Sequence, residues 1–299
     1  MTVGYKLRVL AAAATPFNAD FSIAREEFVR HCQWLLANGC HGLVLFGSTG
    51  ESASLTRAER QGLLEALLKA GIPADRLIVG TGCPALGDTL DLTRHALANG
   101  CTRALIHPPF FFKGVSDEGL AAYYTAMIER MNDSRLRVYL YHFPQTVGAG
   151  ISTALANRLL HRFPEVVVGY KDSSGDWANT QRVRAECPTL DLYVGTESRF
   201  LDLKRAGGTG CISASANVHA AAIAELDQQS DTAAADELQR RVAATRTALE
   251  KLPMIPAVKA ALHRIHGHDG WSRLRPPLVA ISPDQQDALA TELQIPVRS

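Results

Sequence analysis

The sequence predicts an α/β protein, a (β/α)8 TIM barrel with additional C-terminal helices. Three observations carry that expectation. Short apolar, β-rich runs recur through the first two thirds of the 299 residues, segments with helical spacing lie between them, and the strand signal stops near Asn217. Strands alternating with helices require a parallel sheet covered by helices. Near-continuous apolar strands are the ones buried on both faces. Eight such units in about 215 residues suit a closed barrel. The rival, a doubly wound open sheet, would carry a phosphate-binding GxGxxG turn after its first strand, and none is present there.

The elements follow in order. Residues 9–14 open an apolar stretch that reaches Phe17, is broken by Pro16 and is followed by no cleavage pattern, so it reads as a buried strand rather than a signal peptide. Arg25–Ala37 has helical spacing. Residues 43–46 form the second strand and Arg57–Lys69 its helix; residues 77–79 and 89–98 form the third unit, and 104–106 with 118–130 the fourth. Strands follow at 138–141, 166–170, 192–194 and 211–213, with room at 198–206 for one compact crossover helix. Residues 220–229, 232–251, 257–266 and 283–293 all read as helices. The chain therefore divides into a catalytic barrel over residues 1–216 and a helical extension over 217–299 packed on it.

Apolar residues make up 46% and charged residues 20%, an ordinary globular profile. A net charge of +1 leaves no general footprint for nucleic acid or an anionic membrane. No apolar run approaches the roughly 20 residues needed to span a bilayer. The six cysteines are scattered without a CxxC pair, which points to buried free thiols in a reducing cytoplasm rather than a disulfide framework or a zinc site. The ten histidines do not cluster at strand ends, against a metal-dependent class II aldolase. His266-Gly267-His268 reads as a helix-end turn.

In such a barrel the reactive side chains come from the C-terminal ends of the strands and the loops after them. Gly47-Ser48-Thr49-Gly50-Glu51-Ser52 follows the second strand, Tyr141 and His142 end the fifth, Lys171 and Asp172 the sixth, and Thr196-Glu197 follow the seventh. Lys171 closes the run Val166-Val167-Val168-Gly169-Tyr170 and should project from an apolar wall into the barrel mouth. A buried lysine costs several kcal/mol unless it is paired or neutral. Folds carry that cost where a nucleophilic amine is needed, as in Schiff-base chemistry; a salt bridge to Asp172 or another carboxylate explains the position equally well. The Gly-Ser-Thr-Gly-Glu-Ser turn either holds a carboxylate with its hydroxyls and N–H groups or caps the next helix. It is not a P-loop. Tyr141 either relays protons or packs with its hydroxyl satisfied.

Together these residues resemble the dihydrodipicolinate synthase / N-acetylneuraminate lyase family, with Thr15-Pro16-Phe17, the 47–52 turn, Tyr141-His142-Phe143-Pro144, Gly169-Tyr170-Lys171-Asp172 and Gly207-Gly208-Thr209-Gly210-Cys211-Ile212-Ser213 in order. The resemblance implies a class I aldolase or lyase in which Lys171 attacks the ketone of pyruvate or a larger 2-oxo acid. It implies that Ser48 and Thr49 hold the carboxylate, Tyr141 shuttles protons with Thr49, and Gly195 and Ile212 contact substrate. The covalent imine makes a metal or organic cofactor unnecessary, and the assembly implied is a homotetramer built from dimers.

Three departures separate this chain from the lysine-pathway synthases of that family. Those have Thr-Thr where this chain has Ser48-Thr49, and an arginine for the second substrate's carboxylate where it has Thr146. They also contribute an interface tyrosine, where counting places Phe112. The departures favour other 2-oxo acids, such as 2-keto-3-deoxy sugar acids or 4-hydroxy-2-oxoglutarate, over dihydrodipicolinate synthesis. Distal specificity would then fall to His142, Thr146, Glu197, Ser213 and Ser215, with Glu197 either bonding sugar hydroxyls or standing as a solvated loop carboxylate. Aldol cleavage and dehydration both stay open, as does a non-catalytic protein that only binds 2-oxo acids.

Overall fold

Four-residue strands buried at every position sit only in a sheet covered on both faces. Val9–Ala12 (β1), Gly42–Leu45 (β2), Leu77–Gly80 (β3) and Gly210–Ser213 (β8) have that pattern. The structure, a computed structural model, describes residues 7–295. In it the strands close into an eight-stranded parallel barrel, β8 pairing back onto β1 through Leu10 and Ile212.

The chain alternates as expected. After β1 come Arg25–Ala37 (α1), β2, Arg57–Lys69 (α2), β3, Leu86–Ala98 (α3), Arg103–Ile106 (β4), Asp117–Met131 (α4) and Arg137–His142 (β5). Then follow Pro144–Val147 (α5), Thr153–Arg162 (α6), Val167–Asp172 (β6), Trp177–Glu186 (α7), Asp191–Val194 (β7), Phe200–Arg205 (α8) and β8. Helix Ala216–Gln228 (α9) follows β8 and packs on β1, so the ring of helices closes there. Ala235–Glu250 (α10), Met254–His266 (α11) and Pro283–Glu292 (α12) lie beyond it. α11 ends at Gly267 in the left-handed conformation, the expected helix-end turn.

Two apolar layers result. Leu10, Val44, Ile78, Leu105, Tyr139, Tyr193 and Ile212 fill the barrel interior. Phe28, Leu35, Leu64, Tyr124, Tyr170 and Phe200 pack between strands and helices. A third cluster, around Leu249, Val258, Leu262 and Trp271, seats the C-terminal helices. All six cysteines are buried free thiols. Burial pushes the Cys40 thiol up to about 12 and Cys101 to about 11, so neither is a poised nucleophile. Among the described residues no helix is long and apolar enough to cross a membrane.

One local irregularity positions the site. Val138 pairs with Val167, but Tyr139 pairs with Gly169, so β6 carries an extra residue against β5. Such a bulge re-aims the residues after it. Val167 and Tyr170 face the helix layer, while Val168 packs against the interior. Without the extra residue, strict alternation from Val167 would turn Lys171 outward; with it, Lys171 pairs with Tyr141 and faces inward. Gly169 makes room for this, because a Cβ there would lie 2.1 Å from Cδ1 of the Tyr139 ring. Gly169→Ala should therefore destabilise the fold by about 1–3 kcal/mol through overpacking. Thermal denaturation beside wild type checks this; an unchanged midpoint would mean that the ring moves freely.

Candidate active site

A cavity of about 600 Å³ opens at the C-terminal ends of the strands. Ser48 and Thr49 enter it from the β2 loop, Tyr141 from β5, Lys171 from β6, Gly195 from the end of β7 and Ile212 from β8. Thr146 reaches it from α5, exposed on the wall. The structure thus brings together Lys171, Tyr141, Ser48, Thr49, Gly195, Ile212 and Thr146.

Lys171 is 4% exposed, and its Nζ lies 4.1 Å from the centroid of the Tyr141 ring. The Tyr141 hydroxyl lies 3.5 Å from Ser48 Oγ, the long end of hydrogen-bond range. Tyr141 also stacks on Phe143 at 5.8 Å. Asp172 is not the partner of Lys171. Its carboxylate accepts from Ser174 N at 2.9 Å, Ser174 Oγ at 2.6 Å, and Asn179 Nδ2 and Thr180 Oγ1 at 2.9 Å each. Among the described residues Lys171 has no salt bridge.

The turn after β2 does not cap α2. Thr56 does, in a capping box with Glu59. The turn's own bonds run from Gly50 N to Gly47 O, Glu51 N to Ser48 O and Ser52 N to Gly47 O, so Ser48 and Thr49 keep their N–H groups outside that ladder. Phe46 and Glu51, which bracket the turn, both have φ of 55°, a left-handed strain that surrounding contacts must hold. Glu51 supplies those contacts. Its carboxylate accepts from Lys259 Nζ of α11 at 2.7 Å and from Arg275 N at 3.2 Å, with both ion-pair side chains at most 1% exposed. Burial pulls Lys259 down to about 8 even though Glu51 opposes the shift.

Four expected specificity residues lie elsewhere. Glu197 is neither solvated nor in the cavity lining. It is fully buried behind it and accepts hydrogen bonds from Ser213 Oγ, Ser215 Oγ and His219 Nε2, the last at 2.8 Å. Burial works against its charge, yet the His219 bond and the nearby Arg246 charge hold the carboxyl down at about 2. Ser213 and Ser215 are therefore committed to Glu197. His142 stacks on Tyr170, and its Nδ1 accepts from Ile151 N at 2.9 Å. A strand-end position does not guarantee a view of the cavity, since packing of the following loop turns these groups aside.

The chain matches the dihydrodipicolinate synthetase family over residues 6–295. The chain belongs to that family. A DapA-like lyase from Chloroflexus aurantiacus is 32% identical over 292 residues, 94% of each chain. The 4-hydroxy-tetrahydrodipicolinate synthase of Thermosynechococcus vestitus is 32% identical over 291 residues, 96% of this chain and 95% of that one. The crystal structure of dihydrodipicolinate synthase from Agrobacterium tumefaciens superposes with a TM-score of 0.90 at 33% identity, covering 97% of this chain and 99% of that one.

As a family member the protein is a class I lyase of the Schiff-base type. Within the dihydrodipicolinate synthetase family its departures occupy definite places. Thr146 offers only a hydroxyl on the cavity wall, and Phe112, in the loop between β4 and α4, is 66% exposed beside Phe111 at 75%. Sequence reasoning missed Arg246, Glu250 and Trp177, which line the same cavity from α10 and α7. They belong to helices outside every recognised motif, so no local signal marked them.

Proposed function

We propose that Lys171 forms an imine with the pyruvoyl part of a hydroxylated 2-oxo acid and that the protein cleaves or dehydrates that acid. The observation that carries this is Lys171 itself, a buried amine without a carboxylate partner among the described residues, 4.1 Å from the Tyr141 ring centroid in a cavity shared with Ser48 and Thr49.

In the proposed sequence, Lys171 Nζ adds to the C2 carbonyl and water leaves, giving a protonated imine. Ser48 and Thr49 hydroxyls and N–H groups hold the C1 carboxylate. Tyr141 gives its proton to the departing hydroxyl as the imine forms; for aldol cleavage the resulting phenolate takes the C4 hydroxyl proton, the C3–C4 bond breaks, and its electron pair flows into the imine to form an enamine. The aldehyde leaves, C3 is reprotonated, and water releases pyruvate and free Lys171. The iminium is the electron sink, so no metal or cofactor enters. Gly195 and Ile212 form the apolar and backbone wall beside C3.

Dihydrodipicolinate synthesis fits less well, because Thr146 and Phe112 lack the charge and the phenol that the resemblance assigns to those positions. Tyr141→Phe should lower kcat by about 10²–10⁴-fold, the usual worth of a positioned acid–base group. Steady-state pyruvate release measures it; a loss under threefold would remove Tyr141 from the proton path.

The test of the main reading is to treat the protein with pyruvate and sodium borohydride and to map the product by peptide mass spectrometry. A reduced pyruvoyl adduct on Lys171 supports it. Its absence in folded protein sinks imine catalysis and leaves the binding-only reading. We further propose a cytoplasmic homotetramer, a dimer of dimers, with Phe111 and Phe112 at a subunit contact; sedimentation equilibrium of wild type and Phe112→Ser tests the assembly.

A further inference from the structure

Beyond the strand ends, α10 adds a charged pair to the cavity. Arg246 and Glu250 both line it, one helical turn apart. Arg246 is held from behind: its Nη1 lies 3.4 Å from Ser215 Oγ and 3.8 Å from Glu197 Oε2, and its side chain is 13% exposed. Its Nε donates to Glu250 Oε1 at 2.7 Å. Gln239 pins the same helix to the loop after β7, donating to Glu197 O at 2.9 Å and accepting from Leu201 N at 2.8 Å. The Nη2 edge of Arg246 and Oε2 of Glu250 have no partner among the described residues.

A donor edge beside an acceptor oxygen matches hydroxyl groups, which donate and accept at once. The charge balance points the same way. Arg246 contributes one positive charge, Glu197 and Glu250 two negative ones, and His219 at most brings the sum to zero. Arg199, also in the lining, is matched by Asp202 at 2.8 Å and lies over Trp177 at 5.9 Å. A second substrate carboxylate would therefore meet no net positive field, and like charges in a partly dry cavity repel. Trp177 adds an aromatic face, and Thr146, Ser173 and Thr196 add hydroxyls.

We propose that Arg246 and Glu250 determine specificity by binding the hydroxyls of an uncharged, sugar-like tail. The substrate class is then a polyhydroxylated 2-oxo monocarboxylate rather than a 2-oxo dicarboxylate. Glu197, buried behind Arg246, is a positioning residue for it. This rests on the Schiff-base reading above.

The test compares kcat/KM for 2-keto-3-deoxygluconate and 4-hydroxy-2-oxoglutarate, following both pyruvate release and dehydration, in wild type, Glu250→Gln, Glu250→Lys and Arg246→Ala. The ratio of the two kcat/KM values is the readout, because a general structural defect lowers both together. Wild type should favour the polyhydroxylated acid by about tenfold or more. Glu250→Gln should shift the ratio toward the dicarboxylate by about tenfold and Glu250→Lys further, while Arg246→Ala should raise KM for the polyhydroxylated acid more than it lowers kcat. Glu250 is half exposed, so its variants report even if Arg246→Ala folds poorly. A wild-type preference for the dicarboxylate, or a ratio unmoved by both Glu250 variants, overturns the inference. So does failure to turn over the polyhydroxylated acid while pyruvate still forms its Lys171 adduct, an outcome that leaves the Schiff-base reading standing. Absence of that adduct in wild type removes both.

Discussion

Lys171→Ala should eliminate the borohydride-trapped pyruvate adduct and lower kcat/KM by about 10⁴-fold or more, because it removes the proposed nucleophile on which every later step would depend. The protein provides its own control. Among the described residues two lysines are buried, and their surroundings differ in kind. Lys259 is 0% exposed, ion-paired with Glu51 and outside the cavity lining; Lys171 is 4% exposed, inside that lining and without a salt bridge among the described residues. Burial, with the Arg275 charge, brings Lys259 down to about 8 against the pull of Glu51, so a low proton affinity without access is not enough to make a nucleophile. Mass spectrometry should place the adduct on Lys171 only. Lys171→Arg should fail as completely as Lys171→Ala, since a guanidinium keeps the charge but cannot form the imine. An adduct on Lys259, or one that survives in Lys171→Ala, would defeat the assignment.

Glu51→Ala carries the largest expected cost in stability, about 3–5 kcal/mol, because it leaves the Lys259 charge buried without its partner. For a chain of this size that is a fall in Tm on the order of 10 °C. The pH dependence has a definite sign. Lys259 sits at about 8 in the folded protein, below the ordinary lysine value of 10.5. Between these values the unfolded chain binds more protons than the folded one, so this group makes stability rise with pH. Glu51 normally opposes that shift, so its removal lowers Lys259 further, and the variant should recover part of its deficit as pH rises from 7 to 10. The double variant Glu51→Leu, Lys259→Met should recover more than Glu51→Ala alone retains, since apolar replacement of a buried pair is close to neutral. Urea denaturation at pH 7 and 9.5 measures all three. A Glu51→Ala cost under about 1 kcal/mol at both values would show that the pair is hydrated. Because Glu51 holds the strained turn that presents Ser48 and Thr49, KM for the 2-oxo acid should also rise in any variant that stays folded.

Much of this site was legible in the sequence. Ser48, Thr49, Tyr141, Lys171, Gly195 and Ile212 follow from the barrel rule together with the family resemblance, and the structure gathers them around one cavity. Glu197 shows where that reasoning stops. Its place after β7 suggested either a specificity residue or a solvated carboxylate, but Ser213, Ser215 and His219 close over it. Those partners come from the next strand and from α9, and nothing in the local sequence around residue 197 announces them.

The eight strands can be read from the chain alone, because strands buried on both faces must be written in apolar residues. So can the helices between them and the chemical types placed at their ends. Direction and partnership came from the packing of distant segments. The bulge at Val168 turns Lys171 inward, and that register exists only when β6 lies against β5. Glu51 and Lys259 are 208 residues apart, and Arg246 enters the cavity from a helix outside every recognised motif. Such contacts arise because a closed barrel gathers all its strand ends at one mouth, where the C-terminal helices pack, whatever their separation along the chain.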